Sequence, residues 1–297
     1  MSSIAAALLV LRPKQWTKNL LVFAALVFTG NATDKNFLIP TVIAFAAMCL
    51  ASSATYIYND IQDRERDRAH PKKKKRPIAA GTITPTVAAI IAIICLVASS
   101  ALAFSLNLTV VVILAIYLAI QILYNLALKR VPLTDVYCIA SGFVLRACLG
   151  AAAINVNISG WLLFCTGALA LMIGFGKRRS EFISQGEDRA ATRQSLVHYT
   201  KPALDALVII FATASSLCYA IYTLESSTAT KFPALIITTP FVVYGITRYV
   251  LLVFTLDEGG EPEDFLFRDP HLLASIVLFA AAAAVAISGT HLPLIER

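Results

Sequence analysis

Three aspartates near residue 60 are spaced so that their carboxylates could together bind a divalent cation. The segment 58–67 reads YNDIQDRERD. At roughly 100° per helical residue, Asp60, Asp63 and Asp67 fall within an arc of about 60°. Like charges this close disfavour one another, so this face needs a cation or water. Magnesium is usually held by one or two carboxylates together with substrate phosphates. The pattern therefore favours a magnesium-bound diphosphate, with Asn59 as a neutral supporting ligand.

The same acidic face has a second interpretation that involves no metal. Arg64, Arg66 and Arg68 alternate with the acids along the chain. A solvated helix end could neutralise its carboxylates with these arginines. The spacing alone leaves both interpretations open.

A second charged segment, GFGKRRSE, occupies residues 174–181 and carries three bases and one acid. On a helix, Lys177 and Glu181 would share a face, with Arg178 to one side. Arginine forms bidentate hydrogen bonds with phosphate groups. The segment therefore suits an anionic ligand flanked by one hydrogen-bond acceptor.

Four further polar residues lie within or between apolar stretches. Arg146 falls in the middle of one stretch, where a charge is costly and therefore indicates function, although snorkelling or a structural ion pair would also explain it. Tyr124, Lys129 and Asp135 bracket a tight turn between two stretches. Lys129 could face a substrate or anchor the turn at the membrane surface.

A basic segment precedes the first long apolar stretch. Arg12, Lys14 and Lys18 lie beside Trp16, and interfacial tryptophan next to bases is common where a chain enters a membrane. Lys14 and Lys18 are also candidates for substrate contact.

The composition excludes a water-soluble globule. Of 297 residues, 58% are hydrophobic and 14% are charged, and the mean hydropathy is +0.74, whereas soluble domains have about 25% charged residues. The six cysteines contain no CxxC pair, which argues against a disulfide framework or a thiolate metal site.

The apolar runs predict an all-α, polytopic membrane protein that forms a single domain over residues 1–297. About 20 apolar residues cross a bilayer as a helix. Nine spans are predicted, at residues 17–33, 39–58, 86–104, 108–127, 133–153, 161–176, 202–223, 233–254 and 271–290.

The charges predict the orientation of these spans. Most of the 25 lysines and arginines fall on the side that holds the N-terminus, and cytoplasmic loops carry the excess of bases. The N-terminus is therefore predicted to be cytoplasmic and the C-terminus to lie outside. Only Asp34, Glu225 and Glu296 of the 18 acids fall on the opposite side. This asymmetry indicates a polar working site at the cytoplasmic ends of the helices.

The acidic motif and its surroundings resemble one known family. NDxxDxxxD at 59–67 resembles the first aspartate-rich motif of the UbiA superfamily of intramembrane transferases. The likeness continues in DRxHPxKxxRPIAAG at 67–81, which contains Arg76, and in RPKQWTKN at 12–19. The resemblance implies a bundle of about nine transmembrane helices, a magnesium cofactor and a diphosphate donor held by the aspartates.

The second charged segment departs from most of that superfamily. Prenyl-transferring members usually carry a second aspartate-rich motif where this chain has GKRxxE at 176–181. Together with RxSLxxYT at 193–200 and GEPED at 260–264, this form resembles the branch of decaprenyl-phosphate phosphoribosyltransferases of mycobacterial cell-wall synthesis. The candidate donor-binding residues that the resemblance adds are Arg193, Ser195, Tyr199, Lys201 and Glu261. An ordinary positively charged loop and a plain acidic turn remain alternatives for these two stretches.

The donor of that branch gives the departure a chemical reason. 5-Phosphoribosyl 1-diphosphate has a diphosphate at one end and a 5-phosphate at the other, whereas a prenyl donor has one diphosphate and an apolar tail. A second anionic end needs a second cationic clamp. The resemblance therefore implies that the segment containing Lys177 and Arg178 binds the 5-phosphate.

The predicted reaction is a magnesium-dependent transfer of 5-phosphoribose to a polyprenyl phosphate, with release of diphosphate. The predicted partners are the two substrates and membrane lipid, and no nucleic acid; a homo-oligomer and the prenyl chain length are left open. The predicted location is the plasma membrane, with the active site facing the cytoplasm, in arabinogalactan precursor synthesis. No general base is predicted, because the acceptor phosphate is already ionised near neutral pH.

Two other functions compete with this prediction. A prenyltransferase would share the first motif but should carry a second acidic motif. A transporter would explain the intramembrane charges Arg146 and Arg248. It would not explain why the acidic and basic clusters gather on one side of the membrane.

Overall fold

The computed structural model describes residues 3–69, 73–184, 194–255 and 268–288. Within these ranges the chain is helical and contains no β-strand. The α-helices in chain order are α1 (Ser3–Val10), α2 (Ala24–Thr29), α3 (Lys35–Gln62), α4 (Arg64–Ala69), α5 (Pro85–Phe104), α6 (Leu108–Leu126), α7 (Thr134–Ala153), α8 (Gly160–Ser184), α9 (Lys201–Glu225), α10 (Ser227–Lys231), α11 (Thr239–Thr255) and α12 (Pro270–Ile287). Short 3-10 helices occupy Pro13–Phe23, Lys73–Lys75, Leu128–Arg130, Gln194–His198 and Pro233–Thr238.

The starts of the long helices follow from local sequence signals. The Asp34 side chain accepts a hydrogen bond from the Asn36 backbone N–H (2.9 Å) and caps α3. Helices α5 and α12 begin with a capping side chain followed directly by proline, as in Thr84-Pro85, whereas α9 is capped by Thr200 and has its proline at the second position. Such caps satisfy backbone N–H groups that have no partner within the helix, and proline at the first position loses no bond.

Eight of the helical segments that the structure describes are long and apolar enough to cross a membrane. Large apolar side chains such as Ile93, Ile94 and Val97 are exposed on them, as expected for helices that face lipid tails. The prediction of an all-α, multi-pass membrane protein is therefore confirmed.

The first predicted span differs from the other eight. Residues 17–33 contain the end of a 3-10 helix, Pro13–Phe23, and the six-residue helix α2 instead of one long α-helix. Its backbone lies unusually close to α7, because a Cβ atom at Gly150 would sit 1.9 Å from the carbonyl oxygen of Val22. The first half of the segment also turns a polar side chain inward, since Asn19 is fully buried.

Helix contacts divide the chain into two compact units. The first contains the described residues of Met1–Val27, Asn31–Leu126 and Leu145–Asn157. Its core includes small residues of α3, among them Ala44 and Ala51, together with larger buried side chains such as Met48 and Tyr117. Small residues let helix backbones approach closely where water does not drive association.

The second unit contains the described residues of Phe28–Gly30, Ala127–Val144 and Ile158–Arg297. Helix α8 packs extensively against α9. It also lies against the first half of α7, where a Cβ atom at Gly174 would approach Val136 Cγ1 to 2.4 Å. Phe175, Leu204 and Val136 are fully buried in this core.

Candidate active site

The acidic motif lies at the junction between α3 and α4. The sequence predicts one helix face through all three aspartates, but α3 ends at Gln62, and Asp63 has φ −93° and ψ 9°. Backbone hydrogen bonds bridge the interruption, from Asp63 N to Asn59 O (2.9 Å) and from Asp67 N to Asp63 O (2.8 Å). Helical hydrogen bonding thus continues across Asp63, and Asp60 and Asp67 still reach a common partner.

That common partner is Arg76, which follows α4 in the chain. Its Nη1 atom donates to Asp60 Oδ1 (3.0 Å) and to Asp67 Oδ2 (2.6 Å). The two carboxylate side chains are only 6% and 5% exposed, whereas that of Arg76 is 28% exposed. One guanidinium nitrogen thus bridges two buried carboxylates.

Arg12 is the second cation at Asp60. It forms an ion pair through Nη2 with Asp60 Oδ1, and its Nε donates to Asp60 Oδ2 (3.1 Å). Its guanidinium also lies 5.3 Å from the centre of the Tyr56 ring. The backbone of Arg12 is left-handed, with φ 54° and ψ 58°. This conformation is uncommon for a residue with a side chain and costs about 1 to 3 kcal/mol.

Two of the arginines that alternate with the acids pair with acids other than Asp60 and Asp67. Arg68 pairs with the exposed Glu65 (3.0 Å), and Arg66 approaches Asp63 Oδ1 at 3.7 Å. The metal-free interpretation is therefore realised in a different form, because Arg12 and Arg76 are the cations that reach Asp60 and Asp67. Asn59, in the last turn of α3, is partly exposed. In the 3-10 helix Pro13–Phe23, Lys18 is partly exposed and Lys14 is exposed.

The acidic site has some of the features that a magnesium site needs. In the described part of the chain, no group of three or more Asp, Glu, His or Cys side chains is arranged to hold a metal ion. Asp60 and Asp67, however, both contact one nitrogen, so a small cation near that position could contact one oxygen of each. Two carboxylates suffice when waters and phosphate oxygens complete the coordination shell.

Arg146 belongs to a buried polar network rather than to the acidic site. It is 5% exposed, and its Nε donates to Asn19 Oδ1 (2.7 Å) and its Nη2 to Tyr117 OH (3.3 Å). Asn19 in turn donates to Ser52 Oγ (3.1 Å) and Cys49 Sγ (3.2 Å). These contacts link several helices of the first unit and give Arg146 a structural role.

The second charged segment forms the end of α8. Arg178 is 2% exposed and donates through Nη1 to Glu181 Oε2 (2.5 Å). Its Nε lies 3.9 Å from Oδ2 of Asp135 at the start of α7. Lys177 is partly exposed on the same helix. Arg178 is thus turned toward protein acids, whereas Lys177 keeps part of its surface exposed.

Asp135 also holds the segment that follows α8. It is fully buried and accepts hydrogen bonds from Ser195 Oγ (3.1 Å) and Tyr199 OH (3.4 Å). The Tyr199 hydroxyl itself accepts one from Leu133 N (2.5 Å). Burial raises the pKa of Tyr199 to about 12, so this hydroxyl stays protonated near neutral pH and can donate. In this structure the side chains of Ser195 and Tyr199 therefore form hydrogen bonds within the protein.

Arg179, which the sequence did not single out, fastens three helices of the second unit. Its Nε donates to Asp205 Oδ1 in α9 (2.6 Å) and its Nη1 to Val253 O in α11 (2.6 Å). Lys201 also reaches Asp205, at 3.4 Å. The sequence places Arg179 beside Arg178 and contains no signal that separates their roles.

The remaining candidates divide into two groups. Tyr124 lies in the last turn of α6 and Lys129 in the 3-10 helix between α6 and α7, and both are partly exposed. Arg193, Glu261 and the rest of the GEPED stretch lie outside the described residues, as do residues 70–72.

Comparison with known proteins agrees with the resemblance that the motifs carry. Residues 19–269 match the UbiA prenyltransferase family. A decaprenyl-phosphate phosphoribosyltransferase of Mycobacterium tuberculosis is 34% identical over 291 residues, 95% of each chain. Another, of Mycolicibacterium smegmatis, is 33% identical over 283 residues, 90% of this chain and 87% of the other.

A solved structure shows the same fold. A UbiA homolog from Archaeoglobus fulgidus, bound to DMAPP and Mg2+, superimposes with a TM-score of 0.72 at 18% identity, covering 96% of this chain and 99% of that chain. The family match, the similar sequences and the shared fold all lead to one assignment. The chain belongs to the UbiA prenyltransferase family.

Proposed function

We propose that the protein transfers 5-phosphoribose from 5-phosphoribosyl 1-diphosphate to a polyprenyl phosphate, releasing diphosphate. The observation that carries this proposal is the similarity to decaprenyl-phosphate phosphoribosyltransferases over 95% of both chains. The basic GKRxxE segment at the end of α8, in place of a second acidic motif, supports it. Decaprenyl phosphate is the acceptor that the relatives' name suggests.

The acidic site is proposed to bind the diphosphate of the donor together with magnesium. Asp60 and Asp67 would hold the ion, with Asp63 and Asn59 beside them, and the Archaeoglobus fulgidus homolog with its Mg2+ supports this assignment. When bound, magnesium would stabilise the charge that grows on the departing diphosphate. Arg76 would donate hydrogen bonds to the phosphate oxygens.

The other candidates are proposed to bind and position the donor. Lys177 is the partly exposed base of the GKRxxE segment and is assigned to the 5-phosphate. Arg178, Ser195 and Tyr199 are anchored on Asp135 or Glu181, so they would order this segment. Fixed groups of this kind accelerate a reaction by holding the reactants in a productive geometry. Other residues assigned to substrate contact are Lys14, Lys18, Tyr124, Lys129, Arg193 and Glu261. Arg146 is not assigned to the substrate, because its guanidinium is held by Asn19 and Tyr117.

The reaction is proposed to occur at the cytoplasmic face of the plasma membrane, in the synthesis of cell-wall arabinan precursors. The excess of bases on the side of the N-terminus supports this orientation. The ionised acceptor phosphate would attack the anomeric carbon as the diphosphate leaves. The isoprenoid tail would remain among the apolar helices and the lipid.

A prenyltransferase is the second candidate, because the family description and the DMAPP-bound structure favour it. An assay with two donors separates the candidates. Purified protein, magnesium and polyprenyl phosphate are incubated with labelled 5-phosphoribosyl 1-diphosphate or with a labelled isoprenyl diphosphate and an aromatic acceptor. The proposal expects the ribose label to enter the lipid phase. Transfer of the isoprenyl label alone would establish the second candidate instead.

A further inference from the structure

The charges of the acidic site balance without a metal ion. Two buried carboxylates, Asp60 and Asp67, are matched by two guanidinium groups, Arg12 and Arg76. A bare divalent cation that approaches this site therefore meets no net negative charge from these four groups. Its binding would depend on removing a cation that is already there.

The arginines also cover the carboxylates physically. The side chains of Asp60 and Asp67 are 6% and 5% exposed, whereas those of Arg12 and Arg76 are 20% and 28% exposed. A metal ion that binds between Asp60 Oδ1 and Asp67 Oδ2 must take the place of the Arg76 guanidinium that now contacts both oxygens.

Arg76 is better placed to move than Arg12. Arg12 is fixed by two bonds to Asp60, by the Tyr56 ring and by its left-handed backbone. Arg76 uses a single nitrogen for both carboxylates. Its backbone is anchored at both ends by the bonds Arg76 N to Lys73 O (2.9 Å) and Ala80 N to Arg76 O (2.8 Å). Its side chain can therefore swing while the turn stays in place.

The cost of moving Arg76 differs between a bare ion and an ion with diphosphate. A bare ion would break two charge-assisted hydrogen bonds and leave the guanidinium beside a second positive charge. Magnesium also dehydrates reluctantly. With a diphosphate present, the displaced guanidinium gains phosphate oxygens, for which its planar fork is well suited.

We propose that Arg76 is an exchangeable counter-ion: it occupies the carboxylates in the empty enzyme and transfers to the diphosphate when the metal binds. Metal and diphosphate therefore bind together, each strengthening the binding of the other. This inference rests on the proposed function, because it assumes that the acidic site takes a metal diphosphate. Binding energies that couple in this way must be reciprocal.

Equilibrium dialysis of the full-length protein in detergent tests the exchange without an activity assay. Protein-bound Mn2+ is measured by mass spectrometry, with Mn2+ alone and with Mn2+ plus inorganic diphosphate. For the wild type, diphosphate should strengthen Mn2+ binding at least about tenfold, within the usual range of coupling. For Arg76→Gln, Mn2+ alone should bind more tightly than to the wild type, and the enhancement by diphosphate should shrink.

Two further variants make the result specific. Lys74→Gln removes the same charge from an exposed position in the same turn and should leave both affinities unchanged. Arg76→Lys keeps the cation but loses the planar fork, so Mn2+ alone should stay weak while the diphosphate enhancement falls. If Arg76→Gln does not fold, Arg76→Lys still tests the exchange, because the loss of diphosphate enhancement is measured on that variant.

The outcomes separate this inference from the proposed function. If Mn2+ and diphosphate bind together but Mn2+ binds equally well alone, or if the Arg76 variants behave like Lys74→Gln, the exchange is refuted and the function stands. If the wild type binds no Mn2+ with or without diphosphate, the proposed function fails and the exchange fails with it.

Discussion

Asp60 is the residue on which most of the proposed chemistry converges. It lies in the last turn of α3 and is shared between Arg12 and Arg76. Asp67 is held by Arg76 alone among the ion pairs of the described site. A buried carboxylate with two cationic partners can release one of them to a ligand and remain neutralised by the other.

Substitution Asp60→Ala should lower transfer at least about a hundredfold, the usual effect of losing a group that stabilises developing charge. Labelled lipid product measures the rate, and the thermal unfolding midpoint in detergent shows whether the variant is folded. Glu65→Ala is the matched control, because Glu65 carries the same charge in the neighbouring helix α4 but is exposed and pairs with Arg68. Turnover by a folded Asp60→Ala variant at the wild-type rate would refute the metal role.

Asp135 has a structural role that a second substitution tests. Asp135→Asn should destabilise the protein by about 3 kcal/mol, because it weakens bonds from Ser195 and Tyr199 and leaves Arg178 to Glu181 alone. Tyr199→Phe, which removes one neutral partner, should cost only about 1 kcal/mol. The thermal unfolding midpoints of the two variants and the wild type, measured in detergent, test this difference. An unchanged midpoint for Asp135→Asn would show that these contacts do not hold the segment.

The sequence predicted these residues unequally well. Asp60 and Asp67 could be recognised because their spacing on a helix is local. The sequence marked Arg12 only as part of a basic segment at the membrane surface, since its pairing with Asp60 spans 48 residues. Asp135 was noticed only in relation to a turn, because its contacts with Ser195 and Tyr199 span 60 and 64 residues.

At the scale of elements, the lengths of the apolar runs in the sequence were enough to predict most of the long helices. Helices α5, α6, α7 and α9 lie close to their predicted spans, because their apolar runs are bounded by proline, polar or charged residues. Helix α8 continues to Ser184, past its predicted end at residue 176, because the charged segment that follows the apolar run is helical as well. The 3-10 helix Pro13–Phe23 was not predicted, because it arises with the close approach of Val22 to Gly150. The break between α3 and α4 at Asp63 was not predicted either. The backbone hydrogen bonds continue across it, so the aspartates keep a helical spacing in the sequence.

The approach at Gly150 is itself testable. Gly150→Ala would place a Cβ atom 1.9 Å from the Val22 carbonyl oxygen, so the helices must separate, at a cost of about 1 to 3 kcal/mol. Gly160→Ala is the control, because nothing lies within 4 Å of a Cβ atom there. The thermal unfolding midpoint should fall for Gly150→Ala and remain at the wild-type value for Gly160→Ala. Equal midpoints would contradict the close packing of this segment.

At the scale of the whole molecule, composition and charge were sufficient to predict a multi-pass membrane protein. The exposed isoleucines and valines of α5 show that apolar surface faces outward, which hydropathy alone could anticipate. The side of the membrane on which the acidic site lies is inferred from the bases alone.

Cysteine labelling of intact cells tests that orientation. Lys74→Cys places a thiol in an exposed turn near the acidic site, and Lys35→Cys places one at the opposite end of α3. A membrane-impermeant maleimide should label Lys35→Cys in intact cells and Lys74→Cys only after permeabilisation. The wild type gives the background, because its cysteines lie within apolar helices. The reverse pattern would place the site outside.

The identity of the lipid product tests the account most directly. Purified protein is incubated with 5-phosphoribosyl 1-diphosphate and decaprenyl phosphate, and the lipid is analysed by mass spectrometry while released diphosphate is counted. We expect decaprenyl-phosphoryl 5-phosphoribose with one diphosphate per lipid, no product after chelation of divalent metal, and recovery with added magnesium. An unmodified lipid under these conditions, or a product that forms equally well with the metal removed, would contradict the account.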